Sequence, residues 1–157
     1  MIRNLSIAAF FILTANCLVA QENVTWYSIT EAIELNREEP RMLVIDVYTD
    51  WCGWCKRMDT NTFNNPVIVD YLNKFFYPVK LNAEGKEDIT IGNRTYRFID
   101  NGSRGYHELA AVILQGRMAY PSVAFLNPNM NIIQVVPGYQ TAFQFEKYLA
   151  YFRDKAY

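Results

Sequence analysis

The sequence predicts an α/β domain, a central mixed sheet flanked by helices. Three observations carry this. Met42 to Tyr48 is a nearly continuous run of apolar strand formers, as expected of a central strand covered on both faces. Segments with helical apolar spacing lie on either side of it. Near the C-terminus, two strand-like runs are joined by a short turn. With 51% apolar and 20% charged residues in 157, the composition is that of one ordinary globular domain.

Residues 1–20 read separately. Arg3 is followed by an apolar run from Ile7 to Leu13 and then by small residues around Ala15 and Ala20, the layout of a secretory signal peptide. The run is too short for the roughly 20 residues of a spanning helix. Cleavage after Ala20 leaves residues 21–157 as the folded domain. Arg3 is the only charged residue removed, so 16 acidic residues face one basic residue fewer than the full 15. That balance does not suggest nucleic acid as a partner. A competing reading makes Cys17 the lipid-bearing cysteine of a lipoprotein, although Asn16 stands where such signals carry a small residue.

The elements follow in order. Ser28-Ile29-Thr30-Glu31 has capping-box spacing, and Ile29, Ala32 and Ile33 form an apolar stripe that Pro40 ends, giving a helix over 29–38. The strand from Met42 to Tyr48 contains one acid, Asp46. After it, a helix can begin at Cys52. Asn65-Pro66 opens the next helix, with Val67, Ile68, Tyr71, Leu72 and Phe75 as its buried face. A strand from Phe76 to Asn82 holds Pro78, which has no N–H and is expected at a bulge or facing away from a neighbour.

Residues 83–104 are polar and rich in turn formers. Ile89-Thr90-Ile91 and Thr95-Tyr96-Arg97-Phe98 flank Gly92-Asn93 as a short hairpin, read as an insertion on the domain. Tyr106 to Leu114 reads as a helix with Leu109, Val112 and Ile113 inward and Gly116 at its end. Ser122 to Leu126 and Ile132 to Val136 should pair antiparallel across Asn127-Pro128-Asn129-Met130. Thr141 to Gln144 is a second capping box, opening a helix whose inner face is Phe145, Tyr148, Leu149 and Phe152.

With Cys17 in the leader, the domain keeps only Cys52 and Cys55. In an oxidising compartment this pair is a disulfide unless another protein feeds it electrons, which implies a redox partner. A cysteine at a helix N-terminus has its thiolate favoured by unpaired backbone N–H groups, so Cys52 is the candidate nucleophile. Cys55 faces back toward it and is the candidate resolving thiol, and both sulfurs are expected at the helix tip, open to solvent. Burial disfavours the charged form of Asp46, suiting it to hold a proton or take one from Cys55, with Lys80 tuning it if adjacent. Trp51 and Trp54 suggest a partly exposed apolar rim for partner chains.

The bland alternative for the cysteines is an inert structural disulfide or half a zinc site. The sequence has one histidine, His107, and no further thiol in the domain, too few ligands for zinc. Haem attachment needs histidine where Lys56 stands. An isolated His107 reads as structural. No metal and no cofactor beyond the cysteine pair is expected.

Trp51-Cys52-Gly53-Trp54-Cys55-Lys56 resembles the thioredoxin family's active-site signature, with Trp54 where proline is usual. Asp46, Lys80-Leu81-Asn82, Pro121 and Gly138 match four further family positions, and the element order resembles the thioredoxin fold over about residues 25–155. The resemblance implies a cis-proline at Pro121 facing the disulfide, with Tyr120 lining a surface for an extended substrate beside Trp51, Gly53 and Trp54. It implies an exported, periplasmic thiol:disulfide oxidoreductase that reduces protein disulfides, since Gly53-Trp54 lacks the histidine of related oxidants and isomerases. Its partners would be protein thiols and disulfides and an upstream membrane or periplasmic electron donor. A disulfide isomerase and a non-catalytic binding module are the alternatives.

Overall fold

The computed structural model describes residues 22–102 and 104–154. The expected leader, with Cys17 and Ala20, lies outside them. β1 (Met42–Tyr48) is a central strand of a four-stranded sheet. It pairs in parallel with β2 (Phe76–Asn82) and antiparallel with β7 (Ser122–Leu126), which in turn pairs antiparallel with β8 (Ile132–Pro137). The order is β2-β1-β7-β8, the mixed sheet of a thioredoxin fold.

Successive strand residues point to opposite faces, and this alternation divides the core. Leu43, Ile45 and Val47 pack with α1 (Ile29–Glu38) and α4 (Glu108–Ile113). Met42 and Val44 face the other layer, made of α2 (Gly53–Asn61), α3 (Pro66–Phe75) and α5 (Ala142–Arg153). Asp46 is in phase with Met42 and Val44, so it faces the layer that carries the cysteine helix. That layer is aromatic: Phe125 stacks on Phe152 at 4.3 Å, and Phe63 meets Phe145 edge-on at 5.5 Å. Both capping boxes form, Ser28 with Glu31 and Thr141 with Gln144.

The smaller pieces lie between β2 and α4. β3 (Ile89–Ile91) and β4 (Arg94–Tyr96) form a hairpin; β5 (Phe98–Ile99) pairs with β6 (Tyr106–His107). Two boundaries differ from the sequence reading. The run 95–98 is not one strand, because Arg97 turns to Glu108: its N–H donates to Glu108 Oε2 at 2.8 Å, and its carbonyl accepts from the Glu108 N–H at 2.9 Å. The helix expected from Tyr106 begins at Glu108 instead, capped by the His107 side chain, which accepts from the Leu109 N–H at 3.2 Å.

Three side chains expected inward are exposed: Val67, Phe75 and Val112. Helix phase is the reason, for Val69 and Ala110 take the inner positions on α3 and α4. Pro78 sits at no bulge and pairs in register with Val44. Its carbonyl accepts from the Tyr27 N–H on the outer side of β2 at 2.9 Å. Its nitrogen faces the same side, so the missing N–H costs the β1 ladder nothing.

Candidate active site

Four residues after β1 ends comes Cys52, the N-cap of α2. Its Sγ accepts a hydrogen bond from the Cys55 N–H at 3.1 Å, one of the amides that a helix start leaves without an intrahelical partner. The Cys52 N–H donates to the Thr49 carbonyl at 3.1 Å, closing the turn. Cys52 and Cys55 are joined as a disulfide with Cα atoms 5.3 Å apart. The sequence reading places both sulfurs open to solvent, and here the structure corrects it. Cys52 retains 5% exposure and Cys55 3%.

The open part of the site is aromatic. Trp51 and Trp54 are 53% and 55% exposed. Trp51 lies edge-on to Tyr120 at 6.1 Å, and Trp54 lies 5.5 Å from Tyr139. Trp54, Tyr120, Pro121, Gly138 and Tyr139 line a shallow cleft of about 330 Å³. The Tyr120–Pro121 peptide is cis. The Pro121 carbonyl accepts from the Gly138 N–H at 2.8 Å, and Gly138 makes this approach at φ 84°, in the left-handed region that favours glycine. Gly53 is exposed at the start of α2, with open space where a side chain would stand.

A charge network links β1, β2 and α2. Asp46 and Lys80 are register partners on β1 and β2, and Lys80 Nζ donates to Asp46 Oδ2 at 2.6 Å. The same ammonium donates to Asp59 on α2. Asp59 is a site residue the sequence reading misses, although its position four after Cys55 puts both on one face of the helix. Lys80 is enclosed by the rings of Trp26, Tyr48 and Phe63, at 4.7, 5.1 and 5.3 Å. It also borders a cavity of about 520 Å³ lined by Ser28, Tyr48, Asn82, Lys86 and Thr90, so the network reaches an opening distinct from the aromatic cleft.

Burial dominates the Asp46 carboxyl. Desolvation pushes its pKa up to about 6, against the pull of Lys80, and the nearby Asp59 charge pushes the same way. Asp46 Oδ1 has no hydrogen-bond partner among the described residues. For Lys80, burial works against the charge, but Asp46 and Asp59 outweigh it and hold the ammonium above its ordinary pKa. Burial, then the Glu84 charge, raises the Tyr120 hydroxyl.

His107 is structural. With Nδ1 accepting from Leu109, the ring proton is on Nε2 and donates to the Glu87 carbonyl at 3.0 Å. Among the described residues, no cluster of three or more His, Cys, Asp or Glu could hold a metal ion. No described helix is long and apolar enough to cross a membrane.

Residues 14–144 match the family Thioredox_DsbH, described as a protein of unknown function, DUF255. Solved structures share the fold at low identity. One titled "DsbH Oxidoreductase" is 14% identical with a TM-score of 0.62, over 94% of this chain and 96% of that one. A thioredoxin from Thermus thermophilus is 20% identical with a TM-score of 0.62, over 83% and 87% of the two chains. A putative disulphide-isomerase from Bacteroides thetaiotaomicron is 23% identical with a TM-score of 0.61, over 88% and 99%. No curated protein matches the sequence.

Proposed function

From the premise that this chain belongs to the thioredoxin-like family Thioredox_DsbH (DUF255), we propose that it is an exported thiol:disulfide oxidoreductase that reduces disulfides in proteins. The observation that carries this is the place of Cys52: it caps the helix, and its sulfur already accepts the Cys55 amide. A thiolate formed there keeps that donor and the positive end of the helix dipole. In the reduced protein, the Cys52 thiolate attacks a substrate disulfide, forming a mixed disulfide and releasing one substrate thiolate. Cys55, losing its proton, then attacks the Cys52 sulfur. The second substrate thiolate leaves, and the pair ends as the disulfide. Two electrons pass to the substrate, whose two sulfurs take up two protons.

On this reading Asp46 accepts the Cys55 proton, and Lys80 holds the Asp46 carboxylate in place. Trp51, Gly53, Trp54, Tyr120 and Pro121 form the surface on which an extended substrate lies. The cycle then needs an upstream membrane or periplasmic electron donor to reduce the pair again. The burial of both cysteines favours a second reading, a binding module that uses the aromatic rim and keeps an inert disulfide.

Insulin reduction separates the two. The oxidoreductase reading expects turnover with dithiothreitol as donor, abolished in Cys52→Ser, and a trapped mixed disulfide in Cys55→Ser. Turnover that survives Cys52→Ser, or none in the unmodified protein, would leave the binding module.

A further inference from the structure

Trp51 is held from three directions, and two of the holding groups come from the stretch between β2 and β6. Its indole N–H donates to Glu84, with both carboxylate oxygens at 3.0 Å. The Arg104 guanidinium lies over its ring, 4.4 Å from the centroid. Tyr120, joined by the cis peptide to Pro121, packs edge-on against it. An exposed indole without such contacts would sample several rotamers. Here one edge, one face and one flank are all occupied.

The placement of Arg104 is itself built into the fold. Its N–H donates to Asn101 Oδ1 at 3.1 Å. The next residue, Gly105, lies so close to Phe98 that a Cβ would stand 2.1 Å from the Phe98 ring and 2.6 Å from the Ile99 carbonyl. The β5–β6 pairing follows at once, and the His107 N–H ties it to the Ala83 carbonyl at 2.7 Å. Glu84 is fixed by its N–H donating to Asn82 Oδ1 at 2.9 Å.

We propose that Glu84 and Arg104 are positioning residues that lock Trp51 against Tyr120, itself a wall of the aromatic cleft, so that residues 84 and 104 set how tightly a polypeptide disulfide binds. The proposal rests on the oxidoreductase reading for its substrate. Neither residue touches the sulfurs, so their effect should fall on binding and not on the exchange step.

The test uses Glu84→Ala, Arg104→Ala and the conservative Glu84→Gln and Arg104→Lys, with insulin as substrate. Each alanine variant is expected to raise KM about three- to tenfold while kcat changes less than about twofold. Glu84→Gln, which keeps an acceptor, and Arg104→Lys, which keeps a cation, should recover most of that loss. In NMR spectra, the Trp51 indole N–H resonance, identified by its absence in Trp51→Phe, should shift upfield in Glu84→Ala. Insulin affinity measured in a Cys52→Ser background needs no turnover and should weaken by the same factor. An unchanged KM and affinity, a loss confined to kcat, or no recovery by the conservative variants overturns the proposal. Absence of insulin turnover in the unmodified protein overturns the oxidoreductase reading instead, and the affinity measurement still decides the role of the clamp.

Discussion

Asp46→Asn should make the oxidised protein more stable at neutral pH, and by an amount that depends on pH. Asp46 is buried, 2% exposed, on the strand face that carries Val44, and its pKa rises from 3.8 to about 6. The native state therefore binds this proton more tightly than the unfolded chain does. Stability is lost as pH rises through the window from about 4 to 6, where the unfolded carboxyl has ionised and the native one has not. Two units correspond to about 3 kcal/mol, reached above pH 6 and held there. Asparagine removes the titration yet keeps an oxygen that accepts from Lys80. Titrating groups other than Lys80 and Asp59 are uncoupled from this site and cancel in the difference. The stability gained on substitution should grow by roughly 2–3 kcal/mol between pH 4 and pH 8, or roughly 6–10 °C in melting temperature for a domain of this size. Urea unfolding of both proteins at those two pH values measures it. A difference that stays constant across the range, or shrinks, would refute the claim that desolvation outweighs the Lys80 pairing.

Three further outcomes follow from the same geometry. Asp59→Asn removes a negative charge that raises Asp46 and leaves Lys80 undivided, so the Asp46 carboxyl should titrate below its present value of about 6; an NMR titration that finds it unmoved or higher would contradict this. Phe145→Ala empties a fully buried site between Phe63 and Phe125 and should cost about 3–5 kcal/mol of unfolding free energy, measured by urea denaturation. Gly105→Ala forces a methyl into Phe98 and the Ile99 backbone, at about 1–3 kcal/mol. Hydrogen exchange should show the β5–β6 amides losing protection while β1 and β7 keep theirs, and a uniform loss would rule out a local effect.

What the sequence reveals of this fold, and what it hides, divides along local and non-local lines. The capping boxes at Ser28 and Thr141 and the nearly continuous apolar run of β1 are local patterns, and the chain obeys them. Helix phase is less well determined where apolar residues outnumber inward positions. α3 contains Val67, Ile68, Val69, Tyr71, Leu72 and Phe75, and tertiary packing, not spacing, exposes Val67 and Phe75. The break at Arg97 depends on Glu108, eleven residues away, so no window around 95–98 contains its cause. The cysteine pair, Asp46 and the Lys80 register partner are all visible as residues. Asp59 enters the site only because Lys80 reaches across from β2 to α2, a contact that no sequence periodicity encodes.

The correction to cysteine exposure sharpens the division of labour within the pair. Cys52 is the helix cap, beside the exposed indoles, while Cys55 lies one turn in and is still more deeply buried. A partner sulfur arriving over the Trp51–Tyr120 rim therefore meets Cys52 first. The charge network begins farther along α2: Asp59 stands four residues beyond Cys55 on the same helix face, and Lys80 links it to Asp46. From Cys52 that same carboxylate is seven residues away, about two turns. Proton exchange through Asp46 would thus serve the resolving thiol, and the helix terminus would serve the attacking one. Losing Asp46 should then slow resolution of the mixed disulfide more than its formation.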